Sequence, residues 1–308
     1  MGSRFVFSFF VGAFLVGSYG CKRVPAWLDS APLIGTRVED DLNRTIYLPQ
    51  APKRVAIATS EALPLWLSSK LDRYIVAGCY GDREDTRVFY LSCDDSVSLS
   101  EALHRARVDW VWTNRLEQVP AFPEAKIYVF RPQSMEQWLR HLKVLGEVYG
   151  MSGFGQVADS LAQLLREYEN RLADARRLKV IILSPEVPGG IISKYHPLAS
   201  IVSRAGGIVP YGAEKGQRVV QVPPDSIAAV PADVIFVPDG NMELINAFLQ
   251  AYPEAYSMPA LQYKRIFSIP SSTLSHPYAE PFQAFYTLLQ ALHPELVRSQ
   301  ISVQKETE

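Results

Sequence analysis

The chain has 308 residues, a net charge of -1, and 48% hydrophobic against 20% charged content, which is room for two modest domains of ordinary globular composition. So balanced a charge excludes the basic field that nucleic acid would need, and no repeat, low-complexity tract or long charge run is present. At the start, Arg4 precedes the thirteen-residue run "FVFSFFVGAFLVG" and then "SYGC". A basic start, a short apolar core and small residues before a cleavage point make residues 1–20 a secretory signal, too short to span a bilayer comfortably. Export gives the cysteines an oxidising compartment. Cys79 and Cys93 bracket a polar loop that a disulfide between them is expected to close, with two separate thiols as the alternative; CxxC is absent.

Residues 21–37, with Pro25, Pro32 and Gly35 and no clear period, read as a tether. In "DDLNRTIYLPQAPKRVAIAT", Ile46, Tyr47 and Leu48 suit a short edge strand that Pro49 ends, because proline cannot donate to a ladder. Val55 to Ala58 is apolar without alternation, the mark of a strand buried on both faces in a parallel sheet. "SEALPLWLSSKL" predicts a short helix from about Ser60, and "DRYIVAG" a second buried strand ending at Gly78. "SLSEALHRARVDWVWT" predicts a helix from Ser98 or Ser100 and a strand over 109–112, and "AKIYVF" a fourth strand. This alternation predicts an N-terminal α/β lobe over residues 38–150.

"SMEQWLRHLKVLGEVYG" carries a helical stripe ending at Gly150. Apolar residues at 157, 161, 164, 165, 168 and 172 then predict one long amphipathic helix over 155–177, within a connecting segment 151–178. Beyond it "KVIILS", "PLASIVSRAGG", "PPDSIAAVPADVIFVPDG", "ELINAFLQ", "KRIFSIP" and "YAEPFQAFYTLLQAL" restart the pattern as a second lobe over 179–308. The fold class expected is α/β: two lobes, each a mainly parallel sheet with covering helices, joined by one long α-helix.

In order and spacing these pieces resemble the helical-backbone class of periplasmic substrate-binding proteins, which serve ABC importers of cobalamin, haem, ferric siderophores and related metal compounds. The resemblance runs from Asp40 to Leu296. "NRTIYLPQAPKRVAIAT", "DRYIVAG", "LGEVYG", "RAGGIVPYG", "PADVIFV" and "KRIFSIP" carry it, with Val108-Asp109-Trp110-Val111 in the place of the family's "PDLV". The segment ending at Cys21 is similar to a bacterial lipoprotein signal, with Ser18 and Tyr19 where the usual pattern has Leu and a small residue. That likeness implies a lipid on Cys21 and a membrane anchor; ordinary secretion with cleavage nearby is the other reading.

The family resemblance implies a monomer with no cofactor and no catalysis. Its partners would be a small-molecule metal chelate and an ABC permease with its ATPase, with no nucleic acid. It also implies one acidic side chain per lobe for arginines of the permease, and the matching positions are Glu101 and Asp225, the latter where the family has Glu. Two separated carboxylates meeting guanidinium forks would orient a large docking surface. On the residues alone, Glu101 also suits an N-terminal helix charge and Asp225 an N-cap.

Ligand in such a protein would lie between the lobes, against loops at the carboxyl ends of the strands. Those ends supply Tyr80, Arg115, Tyr195, His196 and His276 as contacts, with Asn114 beside them and Trp66 and Tyr211 near; Trp110 and Trp112 read as core. Tyr and His suit ferric iron or haem, and Arg suits carboxylates or phosphates. Cobalamin receptors place tryptophans where this chain has Asp95, Asn114 and Val219, and haem receptors a tyrosine where it has Asp94. A siderophore or other metal chelate is therefore expected, with haem or cobalamin as the alternative. Five scattered histidines do not make the His-rich loop of a bare zinc or manganese receptor. An exported hydrolase, without GxSxG but with Ser275 beside His276, and a non-transport surface lipoprotein are the readings from other classes.

Overall fold

The computed structural model describes residues 35–78, 89–90, 96–119, 125–212 and 216–297. The signal segment, Cys21, Cys79, Tyr80 and Cys93 lie outside them. The chain divides into two compact units, the first holding residues up to Pro132 with Arg140–Ala158, the second Gln133–Leu139 and everything from Asp159 onward.

The first unit opens on β1 (Thr36–Glu39) and β2 (Thr45–Leu48), an antiparallel pair with Thr36 opposite Leu48. Strand thus begins inside the stretch expected to be tether, and the pair is a sheet of its own rather than an edge of the main one. The wholly buried Asp40 closes its turn: one carboxylate oxygen accepts from the amides of Leu42 and Arg44, both at 3.0 Å, and the other from the Arg44 guanidinium and the Val129 amide.

The main sheet comprises β3 (Val55–Ala58), β4 (Ile75–Gly78), β5 (Phe89–Tyr90), β6 (Trp110–Thr113) and β7 (Lys126–Val129), ordered β5-β4-β3-β6-β7 with every pairing parallel. Both faces are covered, so β3 and β6 show no polar alternation; they alternate in side-chain size instead. Ala56, Ala58 and Val111 pack with Leu99 and Leu103 of a covering helix. Trp110 and Trp112, both fully buried as expected, pack edge-on against Trp66 at 5.9 and 5.4 Å. Small residues on one face let a helix sit close, while large rings fill the other.

The covering helices are α1 (Leu63–Ser68), α2 (Ser96–Arg105) and α3 (Met135–Val148). α1 starts at Leu63 rather than near Ser60 because Pro64, lacking an amide proton, belongs in a first turn. α3 is shared between the units. Its Met135 belongs to the second unit's core and its Trp138 packs on Phe282 at 5.5 Å, whereas Tyr149 just beyond it stacks on Tyr74 at 4.7 Å in the first.

One long helix, α4 (Gly153–Leu172), then runs from the first unit into the second. It stops five residues short of the expected end. The apolar period itself ends at Leu172, and the chain must turn through residues 173–176 to enter β8 (Leu178–Ile182).

β8, β10 (Gly207–Ile208), β12 (Val234–Pro238) and β13 (Ile266–Ile269) form a parallel sheet ordered β10-β8-β12-β13, while β9 (Ile191–Ile192) and β11 (Val219–Val220) make a separate antiparallel pair. Val234 and Phe236 face Leu165, Tyr168 and Leu172 of α4 together with α5 (Pro197–Arg204) and α10 (Pro281–Leu292). Ile235 and Val237 face the opposite side, over Ile245 and Phe248 of α7 (Met242–Ala251), beside α6 (Pro224–Ala229) and α8 (Pro259–Gln262). α9 (Ser271–Ser275) follows β13. Gly206 closes α5 at φ +85, and a Cβ there would come within 2.5 Å of His293 Nε2, so only glycine fits.

Candidate ligand-binding loops

Two sets of strand-end loops carry the expected contacts, one per unit, and each is built separately. In the second unit, the β9–β11 ladder places Val219 opposite Ile192. Past its end the Ser193 amide donates to Arg218 O at 2.8 Å and the Ser193 hydroxyl to Gln217 O. The same hydroxyl accepts from the Tyr195 amide at 3.1 Å, and His196 N donates to Ser193 O at 3.0 Å. Residues 193–196 are thereby folded into a fixed turn.

His196 is buried and caps α5, with Nδ1 accepting from the Leu198 amide at 3.1 Å. An accepting Nδ1 must be unprotonated, and burial first, then the Arg218 charge, push this imidazole down to about 4. Tyr195 is 41% exposed and stands beside Lys194, whose Nζ lies 5.1 Å from the ring centroid. Asp239, at φ +50, accepts the Ser271 amide at 3.0 Å and is held below the usual carboxylate range by Ser271. His276 is half-buried at the end of α9, its amide donating to Ser272 O at 2.9 Å. The Ser275 hydroxyl turns back to Ser271 O, as a helical serine does.

In the first unit, Thr113 ends β6 and its hydroxyl both donates to Arg115 O and accepts the Arg115 amide, each at 3.1 Å, leaving the Arg115 side chain exposed. The neighbouring Arg131 sends its Nε to Asn114 O and its amide to Asp41 at 2.5 Å. Asp41, 2% exposed, also meets Arg140 at 2.5 Å and His141 Nε2 at 2.9 Å, while His141 Nδ1 lies 2.7 Å from the Tyr128 hydroxyl. Burial alone would raise Asp41; the His141, Arg131 and Arg140 contacts outweigh it and hold the carboxyl below its ordinary value. Burial, partly offset by Asp41, pushes His141 down. This network lay outside the sequence reading, since Asp41 and His141 are 100 positions apart (141 − 41); it fixes the Arg131–Asn114 contact and so the loop that carries Arg115.

Both imidazoles hold a proton more weakly folded than unfolded. The stability they confer is therefore full above pH 6.5 and drains as pH falls from there, for His196 toward about 4. The urea midpoint should drop steadily between pH 7 and 4.5, and His196→Asn should flatten that drop. A midpoint constant across this window would contradict the assignment.

Trp66 and Tyr211 were expected near ligand. Trp66 is fully buried among Trp110, Trp112 and Tyr149, and Tyr211 turns inward with its hydroxyl on Val230 O. Glu101 is exposed on α2 and pairs with Arg105 at 3.5 Å. Asp225 is exposed in the first turn of α6, where Pro223 takes the N-cap position, so it acts on the helix dipole rather than as the cap. Among the described residues no three His, Cys, Asp or Glu side chains gather closely enough to hold a metal ion.

No family model and no curated protein matches the sequence. Solved structures do match. A periplasmic binding protein from Veillonella parvula aligns at TM-score 0.66 and 15% identity, over 86% of this chain and 93% of that one. The Helicobacter pylori protein CeuE, solved with Ni(II) bound, aligns at TM-score 0.61 and 15% identity, over 84% and 89%. The Vibrio cholerae vitamin B12-binding protein BtuF aligns at TM-score 0.60 and 15% identity, over 79% and 98%. At such identity the likeness is one of fold: two α/β units with parallel sheets and helices, as in those periplasmic binding proteins.

Proposed function

We propose that the chain is the substrate-binding component of an ABC importer. It is exported, anchored by lipid at Cys21, and captures a metal chelate of siderophore type for delivery to the permease. The observation that carries this reading is that, on a fold shared with periplasmic binding proteins, Arg115 follows the parallel strand β6 in one unit, while in the other Tyr195 follows the short antiparallel strand β9 and His276 ends the helix that follows the parallel strand β13. Loops held this way by buried hydrogen bonds present side chains without reorganising, which suits a receptor that binds and releases intact ligand. Glu101 and Asp225 are the permease contacts. No bond of the ligand is made or broken, so the protein does no catalysis and acts as a monomer. A haem or cobalamin cargo is the alternative, since a B12-binding protein and a haem-binding protein share the fold.

Protein purified from its own host should carry a bound small molecule by native mass spectrometry. Stripped of it, the protein should show a thermal shift or tryptophan quenching with at least one of a ferric catecholate, a ferric hydroxamate, haem or cyanocobalamin. Silence across that panel, with the host-purified protein empty, would sink the reading.

A further inference from the structure

The parallel register of the first unit gathers cations at one end of its sheet. Val55 lies opposite both Ile75 and Trp110, and Trp110 lies opposite Lys126, so the entries to β4, β3, β6 and β7 stand in one row at the amino end. Those entries carry Lys70 and Arg73, Lys53 and Arg54, Arg107, and Lys126, every one exposed. Hydrogen bonds tie them into one surface. Asp109 accepts from the amides of Lys53 and Arg54 at 2.8 and 3.2 Å, Arg54 Nε donates to Ala106 O at 2.7 Å, and the Lys126 amide donates to Asp109 O at 2.9 Å. Tyr149 joins the β4 entry to the rest, stacking on Tyr74 and donating to Pro52 O at 3.0 Å. Among the described residues none of these cations is in an ion pair. The carboxylates on the same entries are Asp72 and Asp109, and Asp109 is spent on the two amides.

Lys70 and Arg107 follow α1 and α2 at φ +55 and +46, where a cation complements the helix dipole. No dipole accounts for Lys53 and Lys126, which enter strands. In a chain of net charge -1, cations gathered on one end repel one another and are favoured only against a negative surface. The chain from Cys21 enters on this side too. The 40–44 turn is bonded to Val129 at the carboxyl end of β7, and β2 leads away from it through Leu48 to Lys53; Thr36 stands opposite Leu48. Residues 21–35 reach at most about 50 Å, so a lipid on Cys21 would hold this end near the bilayer. We infer that the amino-end face of the first unit rests on anionic phospholipid headgroups, as a second membrane contact beside that lipid. The inference rests on the lipid-anchor reading above. Arg115 leaves the opposite end of β6, so the contact turns its loop toward solvent and keeps it open to ligand.

Vesicle sedimentation of the mature chain, residues 21–308 with Cys21→Ser so that no lipid is attached, tests the face by itself. Partition into vesicles containing phosphatidylglycerol should exceed that into pure phosphatidylcholine by about tenfold or more at about 0.05 M salt, and the difference should vanish at about 0.5 M as screening shortens. Lys53→Gln with Lys70→Gln, Arg107→Gln and Lys126→Gln should lower the anionic partition by about tenfold or more. Arg166→Gln with Arg171→Gln, Lys194→Gln and Arg218→Gln makes the same charge change at exposed positions elsewhere and should keep it. Unaltered circular dichroism and melting in both variants would show that folding is intact. Equal partition into the two vesicle types, or equal loss in the two variants, overturns the membrane face and leaves the lipid anchor standing. Capture by soluble polyglutamate without vesicle binding also overturns it, in favour of an acidic protein partner. Mass spectrometry of the host-purified N-terminal peptide reads the acyl group on Cys21 separately; its absence overturns the anchor and, with it, the role as second contact.

Discussion

Asp41→Ala is expected to lower the unfolding free energy of the first unit by about 3–5 kcal/mol, the cost of opening a buried charged network from one side. The carboxylate is 2% exposed and serves the Arg131 amide, the Arg140 guanidinium and His141 Nε2 at once. Arg140, 37% exposed, can turn to water when its partner goes. The Arg131 amide is only partly buried, but His141 is fully buried and has no such escape; each buried donor left without an acceptor costs about 1–3 kcal/mol. Asp41→Asn keeps the shape and one acceptor oxygen and should lose less than half as much. Tryptophan fluorescence reads this unit well, because Trp66, Trp110 and Trp112 form one cluster in it. Urea titration followed by that signal should show a lower midpoint at unchanged slope. A loss under about 1 kcal/mol would mean the network is not a keystone of the unit.

The same network marks where sequence reading reached its limit. Strands and helices were legible because their signals are local. Val55–Ala58 and Val234–Pro238 are apolar on both faces, the pattern of a short strand buried in a parallel sheet. α4 was legible because its period of three to four runs unbroken to Leu172. The two-residue strands β9 and β11 were not, since two residues carry no period, and with them went the ladder that sets Arg218 opposite Ser193. His196 shows the other limit. Its place at an expected strand end suggested a ligand contact, and only the structure shows Nδ1 spent on the Leu198 amide. Likewise aromatic type alone could not tell Tyr195, which is exposed, from Tyr211, which is buried. Long-range pairings decide such cases, and a single sequence does not display them.

Reversing charge at both proposed docking positions, Glu101→Arg with Asp225→Arg, is expected to abolish uptake while leaving chelate affinity within about twofold, because on that proposal the two charges meet only a partner and not the ligand. Neither acid is needed for folding. Glu101 is two-thirds exposed and its Arg105 pair at 3.5 Å is a surface contact worth at most about 1 kcal/mol. Asp225 lies exposed in the first turn of a six-residue helix, where its effect through the dipole is about 0.3–1 kcal/mol. On the docking proposal each reversal, by contrast, would remove a charge-assisted contact of about 1.5–3 kcal/mol and replace it with repulsion. Two together exceed what a transient receptor–permease complex can lose. The single variants should fall between, with Asp225→Arg the milder, since its shorter side chain reaches less far than the Glu the family pattern carries there. Glu254→Arg, an exposed acid in the turn before α8, is the control and should transport normally. The measurement is uptake of radiolabelled iron chelate in cells lacking the native gene, alongside titration of the purified variants. Full uptake by the double variant would end the docking assignment. Lost affinity in that variant would instead place Glu101 or Asp225 against the ligand.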